Sequence, residues 1–243
     1  MFAPRLALAS LSGESDAEWA AACAHPAGAA FLGGIAIDEP TRAAAREMVD
    51  RDREEFLPED PIAFVDDQLS ELDDEFLRAG MNVRTTTVEP LREVAAVCAD
   101  HDAILEVNAH CRQDEMCTAG AGETLLRDTD RLCEQVAAAS DAGADVSVKV
   151  RAEVDGVHLP TLAKAIEHAG ADAIHVDAMD SRRVVRDVVE ATDLFVVANN
   201  GIRHREDVFE YFAYGADAVS VGRPSRDPDD VRSIYAAVKE WFL

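Results

Sequence analysis

The sequence predicts a single (β/α)8 TIM barrel, and three observations predict it. Short β-like runs alternate with helical stretches along the whole chain, the pattern of a parallel α/β fold. Its 243 residues suit one such domain, since these barrels run to about 250 residues. Three joints, Ala142–Asp145, Ala169–Asp172 and Tyr214–Asp217, share the form x-Gly-Ala-Asp. Each ends a helix on glycine and opens a strand, as αβ turns do.

The strands are read near Arg5–Leu11, Ala29–Ile37, Gly80–Thr86, Ala103–His110, Ala144–Arg151, Asp172–Asp177, Leu194–Asn199 and Ala216–Gly222. Helices fall between them, and the last runs to the C-terminus near Trp241. The stretch from Glu39 to Arg78 exceeds what one βα unit needs. It reads as two helices broken at Pro58–Pro61, the second being Ile62–Arg78. No linker or low-complexity segment divides the chain, so 1–243 is read as one domain.

Nearly half of the residues are hydrophobic (48%), which makes a large core available and excludes global disorder. No apolar run approaches the roughly 20 residues that span a bilayer, and Met1–Ser10 is too short for a signal peptide. A cytoplasmic protein is therefore expected. Five cysteines, an odd number without a secretory signal, read as reduced thiols. Of these, Cys23, Cys98 and Cys133 fall in helical stretches and are most simply core residues.

Charge is the unusual feature. Asp plus Glu number 48 against 23 Lys plus Arg, a net charge of −25, and the only lysines are Lys149, Lys164 and Lys239. Such a surface repels polyanions and counts against an extended RNA-binding face. The acids are spread over helix-like segments, which reads as a halophile-like acidic surface.

Parallel strands covered on both faces usually read as continuous apolar runs. Several here alternate instead. Asn82, Arg84 and Thr86 share one face of the third strand, and Glu106, Asn108 and His110 one face of the fourth. Ser147, Lys149 and Arg151 alternate with three valines in the fifth, and His175 and Asp177 share a face of the sixth. The apolar set must face the helices, so the polar set points into the barrel. Burying so many ionisable groups is costly without partners or a ligand. Glu106, lower in its strand, is read as part of an internal salt-bridge layer with Arg84 or Arg151. Asn108, Lys149 and His175 converge from three strands on the mouth where barrel enzymes build their sites, and are read as ligand-facing.

The seventh strand leads into Asn199-Asn200-Gly201-Ile202 and the eighth into Gly222-Arg223-Pro224. Phosphate commonly sits at these two loops, on backbone N–H groups exposed by glycine with arginine nearby. The loops alone do not separate a flavin phosphate from a sugar-phosphate substrate.

These residues carry a resemblance. Asn108-Ala-His-Cys111 followed by Gly120-Ala-Gly122-Glu-Thr-Leu125-Leu126 looks like the Asn-x-Gly-Cys-Pro…Gly-x-Gly-x-x-Leu-Leu pattern of the flavin-dependent tRNA-dihydrouridine synthases. Val148-Lys149-Val150-Arg151 resembles their Val-Lys-x-Arg strand, and His175 their strand-six histidine. Asn200-Gly201-Ile202 resembles the Asn-Gly loop, and Gly222-Arg223 the closing Gly-Arg. The matches run in order from about residue 104 to 224, and the chain is similar to a short, archaeal-type relative.

The resemblance implies an FMN-binding barrel. Lys149, Arg151, His175, Asn200, Gly201, Gly222 and Arg223 would hold FMN. Asn108 would lie beside the substrate, and Cys111 would be the proton donor. Hydride would pass from reduced flavin to C6 of a uracil ring, and C5 would take its proton from a thiol, which at a pKa of roughly 8.5 stays protonated at neutral pH. Lys149 would stabilise negative charge on the reduced ring. The substrate would be tRNA or a free uracil-containing small molecule.

Several positions depart from the pattern. His110 stands in place of glycine, Arg112 in place of proline and Asp177 in place of arginine, and Arg84 or Asn82 takes the position of a third-strand glutamine. The chain runs about twenty residues past Gly222-Arg223, where those synthases continue into a helical domain that grips tRNA, so no such separate domain is expected in 1–243. Three other readings stand beside this one. They are an FMN barrel of dihydroorotate-dehydrogenase type acting on a free small molecule, a metal site from His110, Cys111 and Cys117 with loose ligand spacing, and a non-catalytic nucleotide-binding barrel.

Overall fold

The structure is a computed structural model that describes all of Met1–Leu243. Eight parallel strands close in sequence order, the last pairing with the first. They are β1 (Leu6–Leu8), β2 (Ala29–Ala36), β3 (Arg78–Arg84), β4 (Ile104–Ala109), β5 (Asp145–Arg151), β6 (Ala173–Asp177), β7 (Phe195–Asn199) and β8 (Ala218–Val221). The fold is thus the (β/α)8 barrel expected. No helix is long and apolar enough to cross a membrane.

The excursion after β2 holds the two expected helices, α2 (Glu39–Val49) and α3 (Pro61–Ser70), with α1 (Ala17–Ala21) preceding them between β1 and β2. Asp60 starts α3 by accepting the backbone N–H groups of Ile62 and Ala63, with Pro61 at the first helical position, where its missing N–H costs nothing. The expected extension of this helix to Arg78 is corrected: it stops at Ser70. Glu71, Asp73, Asp74 and Glu75 follow directly, and acids are unfavourable at the negative end of a helix dipole. Arg78 instead opens β3, its guanidinium held by Asp102 and Asp145 at 3.0 and 2.7 Å. The first strand is also shorter than read, because ladder pairing is confined to Leu6–Leu8, with Ala7 and Leu8 paired to both neighbours.

The joints carry a second function beyond the turn. Their glycines, at positions 143, 170 and 215, all have positive φ, which costs glycine nothing. Two of their aspartates then cap the preceding strand: Asp172 accepts the N–H of Val146 at 2.8 Å and Asp217 that of Val196 at 2.9 Å.

The main core, which includes Val146, Val148 and Val150, lies between the barrel wall and its helices. A smaller cluster of Phe2, Phe31, Ile104, Val197 and three alanines fills the lower barrel. Polar residues occupy the layers above it. Cys98 lies in α4 (Glu89–Asp100), Cys133 in the helix Thr129–Asp141, and Cys23 just beyond α1. All five cysteines are free.

Candidate functional site

A chain of hydrogen bonds crosses the barrel above Phe31. Asn108 Nδ2 donates to Asn82 Oδ1 (2.8 Å), and Asn82 Nδ2 to Glu106 Oε1 (2.7 Å). His175 Nδ1 lies 2.7 Å from Glu106 Oε2 and its Nε2 lies 2.6 Å from Ser220 Oγ. Asn199 Nδ2 donates to the same hydroxyl at 2.8 Å.

Glu106 therefore belongs to an internal ionic layer, but the expected partners are corrected. It pairs with His175, whereas Arg84 binds Glu55 and Ser12, each at 2.6 Å, and Arg151 binds Glu123 at 2.7 Å. Arg84 and Arg151 lie two and four residues nearer the mouth than the residues paired with Glu106, where their long side chains turn outward to the loops. Burial pushes the Glu106 carboxyl up, but the charge and hydrogen bond of His175, with Lys149 and Asn82, outweigh it and hold the pKa below its usual value.

Lys149 pairs in register with His175 but is long enough to climb past it. Lys149 is buried, with 4% of the residue exposed, and its ammonium donates to Ser10 Oγ at 3.4 Å. Burial lowers its pKa, opposed by Glu106 and Asp177.

Above it opens a cavity of about 390 Å³ at the C-terminal ends of the strands. Lys149, Arg151, Asn200, Gly201, Gly222 and Arg223, all read from the sequence as ligand-holding, border it. His110, Arg112, Asp177 and Arg203 border it too, so five cations gather on a chain of net charge −25. The turn after β7 has two consecutive left-handed residues, Asn200 (φ 88°) and Gly201 (φ 69°). At Gly222 a Cβ would meet protein only at Leu11, 3.7 Å away; a side chain there would fill the cavity rather than strike the wall. The Nε of Arg151 is buried without a hydrogen-bond partner, an unused donor at the cavity wall.

Three site residues lie elsewhere. The sequence reading puts His175 in the cavity wall, but its imidazole is fully buried, and both nitrogens are engaged within the barrel. It rests on Phe31, with ring centroids 5.3 Å apart; the imidazole is too short to reach the level of the Lys149 ammonium. Asn108 is also buried. Its Oδ1 accepts the backbone N–H groups of His110 (3.2 Å) and Cys111 (2.9 Å), so it shapes the loop after β4.

Cys111 lies in that loop, as expected, but packs with the cluster of Ala36, Met48, Met116 and Ala121 rather than bordering the cavity. Its carbonyl accepts the Glu123 N–H at 2.8 Å and the Cys117 thiol at 3.6 Å. Gly122 permits this approach: its φ is +62°, and a Cβ there would lie 2.2 Å from the Cys111 carbonyl oxygen. His110 turns away to Asp177, and no three His, Cys, Asp or Glu side chains gather as metal ligands.

Against this geometry, a dihydrouridine synthase (Dus) family model matches residues 65–239. The chain belongs to the dihydrouridine synthase family. This Dus-family chain is 25% identical to an uncharacterised protein of Methanocaldococcus jannaschii, over 90% of its own length and 88% of that protein's. It is 24% identical to tRNA-dihydrouridine synthase B of Xanthomonas campestris over 92% of its length, and spans 66% of that relative. Similarity also extends to the catalytic subunit of dihydroorotate dehydrogenase B of Geobacillus kaustophilus, at 27% identity over 58% of this chain and 53% of that one. Among solved structures, FabK from Thermotoga maritima superposes with a TM-score of 0.55 at 18% identity, covering 90% of this chain and 57% of that one. The tryptophan synthase complex from Pyrococcus furiosus does so at 0.60 and 14%, covering 100% and 99%. Both share the fold.

In this Dus-family site, sequence reasoning missed the contact between His110 and Asp177, 2.6 Å apart. The signal was present in two separate places: each residue departs from the family pattern, and each ends an inward strand face.

Proposed function

We propose that this protein is an FMN-dependent oxidoreductase that reduces the C5=C6 bond of a uracil-type ring, with uridine in tRNA as the substrate its family favours. The supporting observation is a single cavity that joins a buried lysine to two glycine-bearing loops and a rim of arginines. On a chain this acidic, such a cluster is suited to an anionic ligand.

FMN fits the residues present. The Asn200-Gly201 and Gly222-Arg223 loops would hold its phosphate, with the free Nε of Arg151 as a further donor, and Lys149 would lie against its ring. When bound, FMN supplies the hydride. Lys149 stabilises negative charge in a site where burial strengthens electrostatics. Asn108 holds the backbone of the loop after β4, and Cys111 would have to turn out of its apolar packing to deliver the Sγ proton to C5. Cys117 is spent on the Cys111 carbonyl and is a poor alternative donor.

The visible absorption spectrum of the purified protein tests the cofactor. Flavin bands are expected, and Lys149→Ala should lower the flavin content at least tenfold while the fold persists; colourless protein that takes up no added FMN would overturn the reading. For the proton donor, Cys111→Ala should abolish substrate reduction and spare flavin reduction, and Cys117→Ala should spare both. Equal losses from the two substitutions would refute the role of Cys111.

A second reading, an FMN barrel acting on a free small molecule of dihydroorotate type, is favoured by the net charge of −25 and by the similarity to dihydroorotate dehydrogenase B. Turnover of orotate or dihydroorotate without turnover of unmodified tRNA would select it.

A further inference from the structure

Two residues that depart from the family pattern meet at the cavity. His110, in the loop after β4, stands where the pattern has glycine, and Asp177, at the end of β6, stands where it has arginine. They are 67 residues apart in sequence, yet His110 Nε2 lies 2.6 Å from Asp177 Oδ2. The other oxygen of Asp177 is occupied as well: Oδ1 accepts from Asn200 Nδ2 at 2.9 Å and from the Met179 N–H at 3.2 Å. An ionised carboxylate fixed in this way can only accept, so Nε2 must carry a proton. Burial lowers the imidazole pKa, aided by Lys149 and His175 and opposed by Asp177, so the ring is neutral at pH 7. Its Nδ1 is then a bare acceptor.

That acceptor has no protein partner, while the ring borders the cavity. The charged side chains around it, Lys149, Arg112, Arg151 and Arg223, can only donate. They suit phosphate and carbonyl oxygens. None of them can receive a hydroxyl or an N–H.

We propose that His110, held by Asp177, is a positioning residue whose Nδ1 accepts a hydrogen bond from an O–H or N–H group of the nucleotide in the cavity. Two sources share this chemistry, a ribityl hydroxyl of FMN and the imide N–H of a uracil ring. The proposal rests on the flavin-dependent reading for the identity of these ligands.

The test is calorimetric titration of FMN into the protein, and of uridine 5′-monophosphate into FMN-loaded protein. It compares wild type with His110→Phe, which removes the acceptor, and His110→Asn, whose carboxamide oxygen reaches about the position of Nδ1. The phenylalanine variant should weaken one ligand about fivefold, the worth of one net hydrogen bond, and the asparagine variant should recover most of the loss. Weakened FMN binding identifies the flavin as the source, and weakened binding of the pyrimidine nucleotide alone identifies the substrate. Wild-type affinity for both ligands in His110→Phe, or a loss that asparagine does not relieve in a variant of unchanged melting temperature, would overturn the proposal. Wild type that binds neither ligand would overturn the flavin-dependent reading along with it.

Discussion

Glu106 and His175 meet at 2.7 Å in the centre of the barrel, with neither side chain exposed to solvent. The pair lies under the Lys149 ammonium and is bracketed by Asn82 and Ser220. It gives the cavity a floor of fixed polarity. Desolvating such a pair is expensive, and the cost is met only while every partner is present.

Removing one member should therefore do more damage than removing both. His175→Leu leaves the carboxylate without its main partner and is expected to lower unfolding free energy by about 3–5 kcal/mol. The double variant Glu106→Leu/His175→Leu should recover part of that loss. Urea denaturation of the three proteins measures the difference, and a double variant no more stable than His175→Leu would contradict it.

The loop after β4 depends on Gly122. Gly122→Ala brings a Cβ against the Cys111 carbonyl oxygen, 2.2 Å away, in a left-handed conformation that alanine resists. A loss of about 3 kcal/mol is expected, or on the order of 8 °C in melting temperature for a domain of this size. At Gly120, φ is also positive, but a Cβ would meet only the Arg131 guanidinium, at 3.4 Å. Gly120→Ala should cost about 1 kcal/mol. Calorimetric melting curves of the two variants compare them directly.

Burial, with the charges of Glu123 and Cys111, pushes the Cys117 thiol up to about 11. Since the thiolate is the reactive form, iodoacetamide labelling of Cys117 should be very slow at pH 8 and rise only as the pH approaches 11. Cys98, pushed by burial to about 12, should stay unlabelled until the protein unfolds. Mass spectrometry of timed reactions reads both sites, and rapid labelling of Cys117 at pH 8 would be inconsistent with its packing.

Asp177 makes stability depend on pH in the acid range. Burial raises its pKa, but the hydrogen bonds from His110, the Met179 N–H and Asn200 outweigh that and bring it to about 2. A folded pKa below the unfolded value of roughly 3.9 contributes stability above that pH and loses it as the pH falls towards 2. Asp177→Asn is expected to cost about 2 kcal/mol at pH 7 and clearly less at pH 3. Equal costs at the two pH values, measured by urea unfolding, would show that the carboxylate charge is not responsible.

Much of this protein was legible in its sequence. The inward or outward sense of β5 follows from Ser147, Lys149 and Arg151 alternating with valines, because side chains along a strand alternate faces whatever surrounds them. The two loops at the cavity were legible for a similar reason: glycine after a strand end marks a local turn. Strand ends were less legible. The fate of residues 71–78 depended on Arg78 finding Asp102 and Asp145, which no local pattern announces.

By itself, then, the sequence determined the eight-stranded barrel, the inward polar faces and the cluster of Lys149, Asn200, Gly201, Gly222 and Arg223, all set by periodicity and turn chemistry within a few residues. Only the tertiary structure decided who pairs with whom. It gave Glu106 to His175 rather than to an arginine, kept His175 below the cavity, turned Cys111 towards α2, and brought His110 onto Asp177. The physical reason is that barrel register sets the height of each inward residue and side-chain length sets its reach. Both are properties of strands brought together from distant parts of the chain.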